Sequence, residues 1–239
     1  MTHPTSEGPS SVDTRKPFSI GVNVRGLVRF LVKQRITGLD APTEPHFDPE
    51  ATKEFERHLR TSRSYLEFGC GGSTMLADRL GIPTVSVESD SYYAQTVRRA
   101  LRANTKVRVL SIDIGITREW GFPIFTRRTE ARSSRWGRYS SAPWPLFADD
   151  GFPDFLLVDG RFRRACVLHA TREAVARGRR ILVMFDDYFT DSKRHYRSVE
   201  EFLGAPRRVG RAGFFELEPT AIAKCPSPED ISEANKDPR

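Results

Sequence analysis

The chain is 239 residues long, 38% hydrophobic, and carries a formal charge of +7. That length suits one α/β domain with decorations. A membrane span is excluded because no apolar run approaches the roughly 20 residues a spanning helix needs, and no secretion leader is expected. Three cysteines, Cys70, Cys166 and Cys225, form no disulfide or zinc pattern, so a reducing, cytoplasmic setting is expected. The positive charge favours anionic partners but does not choose among nucleic acid, acidic small molecules and lipid headgroups.

Residues 1–17 and 225–239 are rich in proline, serine and charge, and are expected to be disordered. Residues 18–63 read as an N-terminal helical cap. Within it, 26–32 is a short docking helix interrupted by Arg29, and Pro42 and Pro45 close the lead-in. A helix over 48–60 follows, with Asp48 as N-cap and Pro49 at the first helical position.

The regular core is expected over 64–224. Strands are predicted at 64–68, 84–88, 106–112, 154–158 and 180–185, the fourth nearly all apolar like a parallel strand buried on both faces. Helices are predicted at 73–80, 91–103, 163–177 and 196–203, the second placing Tyr93, Val97 and Leu101 on one face. An antiparallel pair over 207–213 and 214–219 closes the chain. This alternation predicts an α/β fold, a seven-stranded, mostly parallel sheet with helices on both faces. One insertion, 114–153, breaks the rhythm. It holds Trp120, Trp136 and Trp144 and six arginines, 118, 127, 128, 132, 135 and 138. A loop this long points to a lid or acceptor wall, with surface packing as the plainer reading.

In parallel sheets ligands bind beyond the carboxyl ends of the strands. Here those ends carry Glu67 with its glycines, Glu88, Asp113, Asp159, and Asp186 with Asp187. The turn Glu67-Phe68-Gly69-Cys70-Gly71-Gly72-Ser73-Thr74 lets backbone approach a ligand where side chains would collide. Thr74 stands where a nicotinamide-binding turn has its third glycine. Carboxylates beside such a turn suit a cationic, hydroxyl-bearing ligand and would repel a pyrophosphate.

These residues resemble the cofactor site of class I methyltransferases, a Rossmann-like superfamily, over roughly 64–219. The resemblance implies S-adenosyl-L-methionine as cofactor, held by Glu67, Gly69, Gly71, Gly72, Ser73 and Glu88. Glu88 would take both ribose hydroxyls, Glu67 the amino end, and Asp113 and Ile114 would border the adenine. Asp159, Asp186 and Asp187 also resemble the metal site of catechol-type O-methyltransferases, which implies a magnesium ion. Asp187 replaces the asparagine of that pattern, so a metal-free site with Asp159 as general base stays open. If no metal neutralises these carboxylates, Arg161 and Arg194 are the candidates to do so.

Two basic runs, 161–164 and 193–197, fall beside this rim and read either as solvated helix starts or as acceptor contacts. His195 is a further, weaker candidate base. The segment Val158-Asp159-Gly160-Arg161 lacks the Asn/Asp-Pro-Pro-aromatic motif of enzymes that methylate nucleic-acid bases. A small anionic or sugar-like acceptor methylated on oxygen is therefore favoured over nucleic acid. The rivals are a basic nucleic-acid-binding module and a non-catalytic nucleotide-binding module of the same fold.

Overall fold

A computed structural model describes residues 24–239, apart from the side chains of Val24, Thr37 and 191–194. The tail expected to be disordered at 1–17 lies outside the described residues. Helix α1 (Val24–Val32) runs into a π-helical turn, Lys33–Thr37, and an extended lead-in precedes α2 (Pro49–Thr61). The α/β core then follows as β1 (Tyr65–Phe68), α3 (Gly72–Leu80), β2 (Thr84–Glu88), α4 (Ser91–Ala100) and β3 (Val107–Ser111). The insertion contributes a small hairpin, β4 (Thr117–Arg118) and β5 (Phe122–Pro123), and helix α5 (Glu130–Ser141). The core resumes with β6 (Phe155–Val158), α6 (Arg163–Arg177) and β7 (Ile181–Phe185). The chain closes with α7 (Glu200–Leu203), β8 (Arg207–Val209), β9 (Ala212–Leu217) and α8 (Pro228–Ala234).

The main sheet has seven strands in the order β3-β2-β1-β6-β7-β9-β8. All neighbours pair in parallel except β9, which runs antiparallel to β7 and β8. Strand order reverses between β1 and β6, so the carboxyl ends of those strands diverge into a crevice.

Period-two alternation sorts the central strands onto two faces. Leu66, Phe68, Leu156, Val158, Val183 and Phe185 join the larger core under α5, α6 and α8. Tyr65, Phe155, Leu157 and Met184 join a second core with Ala51, Phe55 and Leu59 of α2 and Leu76 of α3. Each fully buried side chain of this size contributes about 1.5–3 kcal/mol of transfer free energy.

One expectation is corrected here. Residues 225–239 are not a disordered tail: Ser227 caps α8 by accepting from Asp230 N at 3.1 Å, and Ile231 and Ala234 enter the larger core. Their polar composition hides a capped turn with two apolar residues three apart. The insertion is divided between surface and core. Trp136 and Tyr139 of α5 are fully buried, and Trp144 nearly so.

Candidate active site

A cleft of about 1020 Å³ opens at the carboxyl ends of β1, β2, β6 and β7. Gly69, Gly71, Gly72, Ser73, Glu88, Asp159, Asp186 and Asp187 all line it, as the strand-end reading requires. Glu67, Asp113 and Ile114 do not.

The glycine turn explains its own residues. Gly69 has φ +98°, a backbone region that disfavours side chains, and a Cβ there would lie 2.8 Å from Gly160 N. Gly160 is equally confined, since a Cβ on it would meet the Tyr139 hydroxyl at 2.2 Å. The loops after β1 and β6 therefore touch backbone to backbone. Gly72 faces the lead-in, where a Cβ would meet Glu44 O at 1.8 Å.

Glu67 is fully buried and points into the protein, which corrects its expected contact with a ligand amine. It accepts from Ser73 Oγ at 2.6 Å, from Tyr65 Oη at 3.0 Å, and from Thr74 Oγ1. Burial pushes its pKa up, with the Ser73 and Thr74 hydroxyls opposing. Thr74 in turn accepts from Gly71 N at 2.8 Å. Where a nicotinamide turn has its third glycine, this chain has a hydroxyl that ties the turn to Glu67.

Glu88 ends β2 at the cleft wall. Its Oε1 accepts from Ser89 N at 2.6 Å and Asp90 N at 2.8 Å, and its Oε2 from Cys70 N at 3.3 Å and Cys70 Sγ at 3.4 Å. Burial raises its pKa, and the Asp90 backbone N–H is foremost in opposing that rise. Asp90 caps α4 through Tyr92 N and Tyr93 N and also accepts from Gln34, which fastens the N-terminal cap to this wall.

Asp113 and Ile114 depart from the resemblance. The Asp113 side chain is 70% exposed and pairs with Arg135 at 3.7 Å, while Ile114 is buried and its carbonyl accepts from Trp136 Nε1 at 3.0 Å. Helix α5 of the insertion meets both residues outside the cleft.

At the other wall, buried Arg163 knits two strand ends together. It donates to Gly160 O at 3.1 Å, to Asp186 O at 2.7 Å, and to Asp159 Oδ1 at 2.7 Å. Arg211 pairs with Asp186 at 3.3 Å and with Asp187 at 3.0 Å. Burial, with Asp159 nearby, still pushes Asp186 up to about 6 although Arg211 opposes it. Each of the three aspartates thus has an arginine partner, and among the described residues no group of His, Cys, Asp and Glu is disposed to hold a metal. The magnesium expectation does not fit this donor set. The neutralising arginines are Arg163 and Arg211, not Arg161; the Arg194 side chain lies outside the described residues.

Several cleft residues were not legible in the sequence. The lead-in contributes Leu39 to Pro42 and Glu44 to Phe47, the β4–β5 hairpin tip contributes Glu119 to Phe122, and Tyr196, Arg211 and Arg239 complete the far wall. Proximity to Pro42 and Pro45 gave no sign that this segment crosses the strand ends. Among the described residues, none of the insertion's six arginines lines the cleft, so the expected basic wall is not formed there.

No family model matches the sequence. The NAD-dependent protein lipoamidase sirtuin-4, mitochondrial, of Bos taurus is 32% identical over 120 residues, which is 46% of this chain and 36% of that protein; the chain spans about a third of that relative. A putative methyltransferase structure from Thermobifida fusca is 13% identical over 74% of this chain and 60% of its own, with a TM-score of 0.35. A 16S rRNA methyltransferase from T. thermophilus, in complex with AdoMet and guanosine, is 17% identical over 82% of this chain and 48% of its own, also at 0.35. The structure of a methyltransferase-like protein from Silicibacter pomeroyi is 31% identical, covers 82% of this chain and 99% of its own, and superposes with a TM-score of 0.67. With that likeness over nearly the whole relative, and with the strand order and glycine turn described above, this chain belongs to the class I S-adenosylmethionine-dependent methyltransferase family.

Proposed function

We propose that the chain binds S-adenosyl-L-methionine over its glycine turn and methylates an oxygen of a small acceptor bound beyond β6 and β7. One observation carries this reading: Gly69, Gly71, Gly72 and Glu88, at the ends of the neighbouring strands β1 and β2, meet in one cleft. The residues there fit the donor chemically. Gly71 offers bare backbone, and Glu88, Asp90 and Glu119 form an acidic wall that suits a cation and hydroxyls. When bound, this cofactor supplies a methyl group already activated on a positively charged sulfur.

The chain's own part is alignment and exclusion of water. Glu88 Oε2, held only by the long contacts from Cys70, is the edge that accepts from ribose. Gly121 and Trp120 close the turn above Ser89 and Glu88, and the lead-in lies across the opening. Asp159 faces the acceptor. Its Oδ1 is fixed by Arg163, and its Oδ2 carries no hydrogen bond among the described residues. That oxygen orients an acceptor hydroxyl and receives its proton. The opposite wall, lined by Arg161, Arg163 and Arg211, favours an acceptor of anionic or sugar-like character.

Calorimetric titration with S-adenosylmethionine, run in parallel with NAD, tests the reading. The native chain should bind the sulfonium cofactor, and Glu88→Ala should weaken it by about 1.5–3 kcal/mol, the range for hydrogen bonds to a charged group. Binding of NAD in its place, or unchanged affinity in a folded Glu88→Ala variant, would reject the assignment.

A further inference from the structure

Among the described residues, four arginines line the far side of the cleft, and three of them are matched by carboxylates. Arg163 pairs with Asp159, Arg211 with Asp186 and Asp187, and Arg239 with Asp237 at 2.8 Å. Arg161 differs. The residue is only 7% exposed, its Nε is buried without a hydrogen-bond partner, and its guanidinium pairs with no carboxylate among the described residues. A buried cation without a partner is costly, and a fold retains one where something else supplies the counter-charge.

The orientation of Arg161 limits what that partner is. Its guanidinium carbon stands 3.9 Å from the centre of the Phe122 ring, so one face of the fork is covered by the β4–β5 hairpin. Phe162 behind it is fully buried, and the Arg161 backbone is fixed by Tyr139 Oη on its N–H at 3.5 Å and Cys166 Sγ on its carbonyl at 3.4 Å. A stacked guanidinium presents its donors in its own plane, where two parallel N–H groups match two oxygens of one anion. The nearest carboxylate in sequence, Asp159, pairs with Arg163 through Oδ1 and forms no salt bridge with Arg161.

We infer that Arg161 is the acceptor-recognition residue, and that the acceptor carries an oxyanion, a carboxylate or a phosphoryl group, gripped by this fork beside Asp159. The inference rests on the acceptor wall assigned above and adds the substrate class. The acidic wall at β2 takes a cationic donor, and the unpaired arginine beyond β6 takes an anionic acceptor. Opposite charges on the two walls then sort the two ligands to their own ends of one cleft. Phe122 couples the grip to the insertion, because the hairpin that holds the guanidinium flat also carries the Trp120–Gly121 turn over Glu88.

The test titrates the full chain with inorganic phosphate and, separately, with benzoate, following intrinsic tryptophan fluorescence with and without saturating S-adenosylhomocysteine. At least one anion should bind saturably, and which one does so identifies the source of the oxyanion. Arg161→Met should weaken it by about tenfold or more, as expected for lost charge-assisted hydrogen bonds. Arg161→Lys, which keeps the charge but not the fork, should also weaken it. Arg118→Met, which touches Phe122 from outside the cleft, should bind like the native chain. Saturation by neither anion, or equal binding in the native chain and both Arg161 variants, overturns the inference. Anion binding that survives when S-adenosylhomocysteine does not bind would reject the donor assignment and leave this one standing. Should Arg161→Met fail to fold, Arg161→Lys decides alone.

Discussion

Glu67 and Glu88 are both acidic residues at the ends of adjacent strands, and the sequence treats them alike. Their surroundings do not. Glu67 points onto Ser73, Thr74 and Tyr65 within the protein, whereas Glu88 stands at the cleft beside Cys70 and Ser89. Asp186 shows the same dependence on surroundings. An aspartate in an unfolded chain titrates near about 3.9, and here burial and Asp159 push Asp186 up to about 6. The folded state therefore holds this proton more tightly than the unfolded state. The resulting stability is full below the unfolded value and is lost as pH rises through about 6. Asp186→Asn cannot ionise, and it leaves Arg211 its contact with Asp187 at 3.0 Å. The melting temperature of the variant relative to the native chain should therefore rise between about pH 4 and pH 8. Thermal unfolding across that range checks it, and a flat or falling difference would show that Arg211, not burial, dominates the site.

The insertion shows how an element divides its residues between core and site. Its tryptophans look equivalent in sequence, yet Trp136 is fully buried and donates to Ile114 O, while Trp120 is 85% exposed with φ +61° at the hairpin tip. Trp136→Ala removes a large side chain from a packed core and should cost about 3–5 kcal/mol. Trp120→Ala should change stability by no more than about 0.5 kcal/mol in either direction. Urea unfolding of the two variants makes the comparison. Similar losses would mean that the hairpin tip is packed more tightly than its exposure indicates. For the same reason, removing 127–138 would take out most of α5 and with it part of the larger core, rather than trim a surface wall. The arginines of that helix line its outer side, and Arg132 bonds back to Arg127 O at 2.7 Å.

Across the whole molecule, the segment before α2 acts as a strap over the strand ends. It is fixed at one end by Gln34 on Asp90 and at the other by Asp48, which accepts from Ala51 N and Arg211 N, both at 3.0 Å. Burial tends to raise the Asp48 pKa, but these backbone donors and Arg211 outweigh it and hold the carboxyl below its usual value. Asp48→Ala removes an N-cap and a long-range tie together, and should lower stability by about 1–2 kcal/mol. It should also speed hydrogen exchange in 39–47. Loss of stability without faster exchange there would confine Asp48 to capping α2.

How much of this was legible divides along physical lines. The order of strands and helices, the glycine turn and the carboxylates at the strand ends could be read directly, because backbone periodicity and turn chemistry are local and repeat along the chain. Those local signals suffice for the parallel sheet and for the location of its cleft. The direction of Glu67, the pairing of Asp113 with Arg135 of α5, the arginine partners of Asp186 and Asp187, and the folding of the C-terminal tail onto α6 were decided by tertiary structure alone. Each depends on which distant group arrives beside a residue. Arg163 stands four residues after Asp159, but it reaches Asp186 only because β6 and β7 are neighbours. Among the described residues Arg161 forms no salt bridge, while Arg163 beside it holds Asp159 through Oδ1. A charge run in the sequence states how many cations there are, and only packing decides which of them is left to hold a ligand.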